Sequence, residues 1–329
     1  MIFDFSVLTI DVDEEIGRIV SSIQKNVREI LHRKGTVLGV SGGIDSAVCA
    51  ALCARALGSK NVLAVFMPER DSSNESFRLG NLLTEHFGIP SVTEEITPLL
   101  EGAGCYRRQI AAIQLACPEF EPHWKFKITL PSLLENNRLN VARLIIEMPS
   151  GETITRRMSY DAYLQLLAAT NFKQRTRKMM EYYHADRMNF AVCGTPNRLE
   201  YDQGFFVKNG DGSADVKPIA HLYKTQVYDL ARALEIPEEI CSRPPTTDTF
   251  SLSQTQEEFY FSLPYHKMDL CLYALNNNIS SADIAAAVGL TVEQVERVFT
   301  DILAKRRATL PLHLSPLLSG EIIEISRRL

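Results

Sequence analysis

The chain has 329 residues, 45% of them hydrophobic and 23% charged, and a formal net charge of −5. That length allows one large α/β domain with insertions or two smaller domains, the composition is an ordinary soluble globular balance, and the acidic charge without a long basic run argues against nucleic acid as the principal partner. No stretch approaches the roughly 18 apolar residues that span a bilayer, and Met1–Asp13 lacks the basic start and small-residue cleavage site of a signal peptide.

Apolar residues at Val12, Ile16, Ile19, Ile23, Val27 and Ile30 recur at three- and four-residue steps, so 12–33 reads as an amphipathic helix. Thr36–Val40 is a short β-branched run ahead of a glycine pair, which predicts a buried strand ending in a turn. A helix over 44–57, a strand at Val62–Met67, a helix over 75–87 and a strand at Ser91–Ile96 follow. Strand alternating with helix predicts a doubly wound parallel sheet. The alternation breaks near residue 100. A helix over 104–117, strands at Lys125–Leu130 and Val141–Met148, and a turn at Pro149-Ser150-Gly151-Glu152 predict an inserted helix and hairpin spanning about 100–160. Helix resumes over 158–184, and Asn189–Cys193 reads as a fourth buried strand. Residues 222–234 form an amphipathic helix, Pro244-Pro245 opens a loop, and a helical cap covers about 255–329. The whole of 1–329 is expected to form one domain. Seven scattered cysteines without an export signal point to reduced thiols and a cytoplasmic protein. Cys49 and Cys53, four apart on a helix, are expected to pack rather than bind metal.

Ser41-Gly42-Gly43-Ile44-Asp45-Ser46 joins the first strand to a helix. Glycines let a backbone approach an anion and present its N–H groups, and the helix N-terminus adds partial positive charge. Ser41 and Ser46 can donate hydroxyl hydrogen bonds. An aspartate among phosphates fits best as a ligand to Mg²⁺, which favours hard oxygen donors. The segment is neither Gly-x-x-x-x-Gly-Lys-Ser/Thr nor Gly-x-Gly-x-x-Gly.

This hexapeptide resembles the PP-loop of the ATP-pyrophosphatase superfamily, whose adenine nucleotide alpha hydrolase-like fold cleaves ATP between its α- and β-phosphates. Later segments narrow the resemblance to the NAD synthetases. They are Asn171-Phe-Lys-Gln-Arg-Thr-Arg177, Gly194-Thr-Pro-Asn-Arg-Leu-Glu200, Gly204-Phe-Phe-Val-Lys-Asn-Gly-Asp-Gly-Ser-Ala-Asp215, Leu222-Tyr-Lys-Thr-Gln-Val227 and Pro244-Pro-Thr-Thr-Asp248. Met67-Pro-Glu-Arg-Asp-Ser-Ser-Asn-Glu-Ser76 is similar to a segment of the glutamine-linked members. The resemblance covers about 15–98 and 168–310. It implies ATP-dependent amidation of deamido-NAD to NAD with ammonia, through an acyl-adenylate. It also implies Mg²⁺ at Asp45 and Glu200, with ATP at Ser41, Gly42, Gly43, Asp45, Ser46, Thr195, Lys224 and Thr246. Asp45 and Lys224 would be catalytic, and Arg175, Lys208, Asp215 and Lys305 would contact deamido-NAD. The resemblance further implies a homodimer, with ammonia arriving free or from a separate glutaminase.

The sequence departs from the family pattern in its longer insertion, at Ser213 and His221, and at Ala304 before Lys305-Arg306-Arg307. These departures leave open a ligase of the same fold acting on another carboxylate. Ser281–Val298 also reads like a helix-turn-helix, which would suit a nucleotide-sensing DNA-binding regulator. Glu293, Glu296 and Asp301 on its second helix would repel a phosphate backbone. A helical cap is the simpler reading.

Overall fold

The computed structural model describes residues 3–129, 142–246, 249–320 and 322. Four parallel strands form the central sheet in the order β3-β2-β1-β7: β1 Thr36–Gly39, β2 Val62–Phe66, β3 Ser91–Thr93 and β7 Ala191–Val192. Alternation within the strands feeds two layers. Leu38, Ala64 and Phe66 face one hydrophobic core, while Val37, Leu63 and Val65 face the other. The first core is filled by α1 (Val12–Gln24), α2 (Ile44–Leu57), α3 (Asn74–Phe87) and α8 (Lys224–Ala233). The second is covered by α4 (Thr97–Gly102), α5 (Cys105–Gln114) and α6 (Tyr160–Met188). Apolar residues on both faces of every central strand are what a doubly wound sheet requires.

α1 continues as a wider helical turn over Lys25–Ile30, in which Val27 is buried and Ile30 is exposed. β3 is shorter than expected: the chain leaves the sheet after Thr93, and Ile96 turns inward as the N-cap of α4. The insertion also differs from a simple hairpin. β4 (Lys125–Thr129), β5 (Arg143–Glu147) and β6 (Thr153–Arg157) form a three-stranded antiparallel sheet. The third strand escaped the sequence reading because Thr-Ile-Thr-Arg-Arg is polar, as the exposed edge of a small sheet can be. Leu130, Val141, Thr247 and Asp248, also named in the sequence reading, lie outside the described residues.

The C-terminal cap comprises α10 (Tyr265–Asn276), α11 (Ser281–Val288) and α12 (Val292–His313) around a separate apolar cluster. Val295, Val298 and Ile302 of α12 are buried in it, so the helix-turn-helix pattern serves packing. All seven cysteines are free thiols. Cys49 and Cys53 lie within the core, with Cys53 Sγ 3.7 Å from Cys193 Sγ. Among the described residues no helix is long and apolar enough to cross a membrane.

The turn after β1 is built around Gly42, which has φ +71° and lies buried beneath α3. A methyl group at this Cα would lie 2.5 Å from the Ser76 carbonyl oxygen. Gly42→Ala therefore combines left-handed strain with a backbone collision, and should lower unfolding free energy by about 2 kcal/mol or more. Urea denaturation checks this; an unchanged midpoint would contradict it.

Candidate active site

A cavity of about 530 Å³ opens above the C-terminal ends of the parallel strands, where open α/β sheets bind ligands. Three helix N-termini deliver its charged groups. Asp45 is in the first turn of α2, Glu200 in the first turn of α7 (Arg198–Gln203), and Lys224 opens α8.

Each N-terminus is closed differently. At α8, Asp269 accepts from the backbone N–H groups of Lys224 (3.1 Å) and Thr225 (2.8 Å). At α7, the Asn197 side chain accepts from the N–H of Leu199 and Glu200, while Glu200 Oε2 accepts from Asn197 N at 3.0 Å. This is a reciprocal capping box. At α2, Gly43 makes no side-chain cap. The first N–H groups of that helix are left for an anion, and Ser41, Gly43 and Ser46 line the cavity beside them.

The charges form one cluster. Lys224 Nζ donates to Asp45 Oδ2, and Asn197 Nδ2 donates to Asp45 Oδ1 at 3.0 Å. Gln256 Nε2 donates to Glu200 Oε1 at 2.9 Å. Burial and then the Asp45 charge push the Glu200 carboxyl up to about 8. Burial pulls the Lys224 ammonium down, but Asp45 and Glu200 outweigh it and leave its pKa raised. Two carboxylates brought together in a buried site, one reluctant to ionise, suit a hard divalent cation that would neutralise both. Asp45 and Glu200 are thus a fitting pair for Mg²⁺.

Thr195 and Thr246 also line the cavity, and Arg243 donates to Thr246 Oγ1 at 3.3 Å. Gly42 does not line it; its role is the turn. At the rim, Arg175 Nε donates to the Lys208 carbonyl (3.2 Å) and Lys208 Nζ donates to the Pro311 carbonyl (2.7 Å). Both residues face the cavity. Asp215 and Lys305 are absent from its lining. Asp215 Oδ2 accepts from Val192 N at 2.7 Å, pinning the loop to β7. Lys305 Nζ, whose pKa is lowered by burial, donates to the Tyr260 carbonyl and pairs with Asp301. Asp211 closes its own turn by accepting from Val207 N.

Sequence reasoning missed a buried group on the opposite wall. Lys173 Nζ lies 2.8 Å from both Glu69 Oε1 and Asp71 Oδ2, and Tyr106 Oη donates to Glu69 Oε2 at 2.7 Å. It also passed over Lys178, which pairs with Glu181 at 2.7 Å in the cavity wall. The available signals were the position of Lys173, Glu69 and Asp71 within two of the motif segments, and the charge along α6.

Comparison with known proteins decides the family. Residues 15–114 and 132–307 match the family model described as NAD synthase. The chain belongs to the NAD synthase family. It is 57% identical over 317 residues to the NH(3)-dependent NAD(+) synthetase of Mesorhizobium japonicum, covering 96% of this chain and 99% of that one. It is 56% identical over 325 residues to the enzyme of the same description from Rhizobium meliloti, covering 99% and 97%. These relatives mark it as an ATP-dependent ligase of the ammonia-dependent kind. The solved NH3-dependent NAD synthetase of Campylobacter jejuni shares the fold, with a TM-score of 0.60 at 23% identity, over 94% of this chain and 100% of that chain. An NMN synthetase from Francisella tularensis shares it as well, at TM-score 0.64 and 21% identity, over 95% and 100%. At those identities the structures speak to fold alone.

Proposed function

We propose that this cavity amidates deamido-NAD with ammonia, ATP being split to AMP and pyrophosphate. The observation that carries the reading is the Asp45–Asn197–Glu200–Lys224 cluster beside the uncapped N-terminus of α2.

The nicotinate carboxylate attacks the α-phosphorus. A carboxylate oxygen–phosphorus bond forms, the bond to the bridging oxygen breaks, and pyrophosphate leaves. The open α2 N–H groups, with Ser41 and Ser46, receive phosphate oxygens. Lys224 Nζ, already in the cavity beside Asp45, stabilises negative charge on the leaving group. Asp45 and Glu200 would hold Mg²⁺, which when bound supplies charge neutralisation across the phosphates. Ammonia then attacks the acyl carbon, loses a proton, and displaces AMP. Most of the rate gain comes from positioning and fixed charge.

For the dinucleotide, Arg175 offers a forked donor suited to its phosphates and Lys208 a point charge beside it. Asp215 supports that loop from beneath, and Lys305 supports Tyr260, which lines the cavity. Free thiols throughout agree with a cytoplasmic setting.

Purified protein with ATP, Mg²⁺, ammonium and deamido-NAD should form NAD and AMP in equal amounts. Asp45→Asn should reduce both by at least about 10²-fold, because it removes the metal's first carboxylate. The fold should survive, since the substitution keeps the size of the side chain and an oxygen that can accept from Asn197 Nδ2. Full activity in the variant would overturn the metal assignment.

We also propose a homodimer across α6. Tyr160, Leu164, Met179 and Tyr183 stand out from this 29-residue helix, with relative exposures between 43% and 73%. Tyr160 and Leu164 lie four apart near the start of the helix, and Arg175, Met179 and Tyr183 lie four apart further along, so a second copy seated there would cover the rim of the dinucleotide site. Light scattering should give twice the 37.0 kDa chain mass, and Met179→Lys should shift it toward the monomer. A monomeric wild-type protein at micromolar concentration would refute the interface.

A further inference from the structure

The insertion touches both loops that frame the ATP half of the cavity, and it does so through two separate sets of bonds. The first set starts at α5. Cys105 Sγ donates to the Ala169 carbonyl (3.2 Å) and Gln109 Nε2 to Thr170 Oγ1 (3.0 Å), which fixes α5 on α6. Tyr106, between them in sequence, is thereby aimed at Glu69. Its hydroxyl donates to Glu69 Oε2 at 2.7 Å, and the Arg70 guanidinium lies 3.7 Å from its ring centre. Glu69 in turn holds Lys173, which also reaches Asp71 and the Thr249 carbonyl at 3.1 Å. Loop 67–76 is tied in this way to α5, α6 and the start of loop 249–258. The segment runs into the first turn of α3, where the Ser76 backbone closes over Gly42 of the phosphate turn.

The second set runs from β4. Phe126 N donates to Ser251 Oγ (2.9 Å), Leu252 N donates to the Phe126 carbonyl (3.1 Å), and Lys127 Nζ pairs with Glu258 Oε1 (2.7 Å). Segment 249–258 is therefore docked on β4. It carries Gln256, whose amide donates to Glu200.

We propose that the insertion is an internal brace that holds the ATP-side loops in their binding geometry before ligand arrives, and that Tyr106 is a positioning residue within it. This rests on the reading of the cavity as the ATP site. A site whose loops are already ordered spends less binding energy on ordering them, so the brace acts on ATP affinity. It touches neither Asp45 nor Lys224 and reaches Glu200 only through Gln256, so its effect falls on binding and not on the chemical step.

Tyr106→Phe isolates the effect. It removes one hydroxyl, keeps the ring under Arg70, and leaves Glu69 paired with Lys173. The expected result is a rise in KM for ATP of about tenfold, with kcat and KM for deamido-NAD within twofold of wild type. Amide exchange at 69–73 should be faster in the ligand-free variant and return to the wild-type rate with saturating Mg²⁺–ATP. Ser251→Ala should give the same kinetic split through the second loop, with faster exchange at 249–256. Unchanged exchange, an unchanged KM for ATP, or a parallel fall in kcat with both KM values raised would overturn the brace. Mg²⁺–ATP binding to the wild-type protein that Ser46→Ala leaves unchanged in calorimetry would instead overturn the ATP reading of the cavity.

Discussion

Three helix N-termini pointing into one cavity are the constraint on which the rest of this structure depends. Each contributes positive potential, and each begins with a charged residue within its first turn: Asp45, Glu200 and Lys224. Holding two carboxylates close together out of water is unfavourable unless a cation joins them. In the protein alone Lys224 fills that role for Asp45, while Asn197 ties Asp45 to the Glu200 turn. The cluster is thus arranged around charge that its substrates must bring or displace. Polyphosphate with a divalent cation satisfies the open N–H groups, the ammonium and the carboxylates together.

Much of this was legible in the sequence because it is short-range. The turn Ser41–Ser46 needs only a strand, two glycines and a helix start, all contiguous, and the parallel sheet followed from the apolar runs before each turn. The pairing of Glu200 with Asp45 came from motif resemblance, and the structure supplies its physical link through Asn197. The Lys173–Glu69–Tyr106 group was not legible. Its members are separated by up to 104 positions, and a lysine on a long helix carries no local sign that it is buried. Lys305 illustrates the reverse case. A basic stretch suggested substrate contact, yet burial against Tyr260 and Asp301 turns its ammonium inward. The polar strand β6 was missed because an edge strand exposed on both faces need not alternate.

α6 connects these levels. One face packs on the sheet through Ala185, its middle supplies Lys173, Lys178 and Glu181 to the cavity, and its outer face carries the apolar stripe with Arg175. A helix of 29 residues, about 43 Å long, transmits position between the insertion, the ATP-side loops and the outer surface without a hinge. The insertion is accordingly part of the site's architecture. The near-complete alignment with the Mesorhizobium japonicum relative includes this region.

In the proposed reaction the Asp45–Asn197–Glu200–Lys224 cluster directs a carboxylate oxygen onto the α-phosphorus of ATP. Deamido-NAD labelled with oxygen-18 in its nicotinate carboxylate tests this most directly, with the products read by mass spectrometry after a single turnover. One labelled oxygen is expected in AMP and none in pyrophosphate. Label in pyrophosphate, or AMP formed without label, would contradict it.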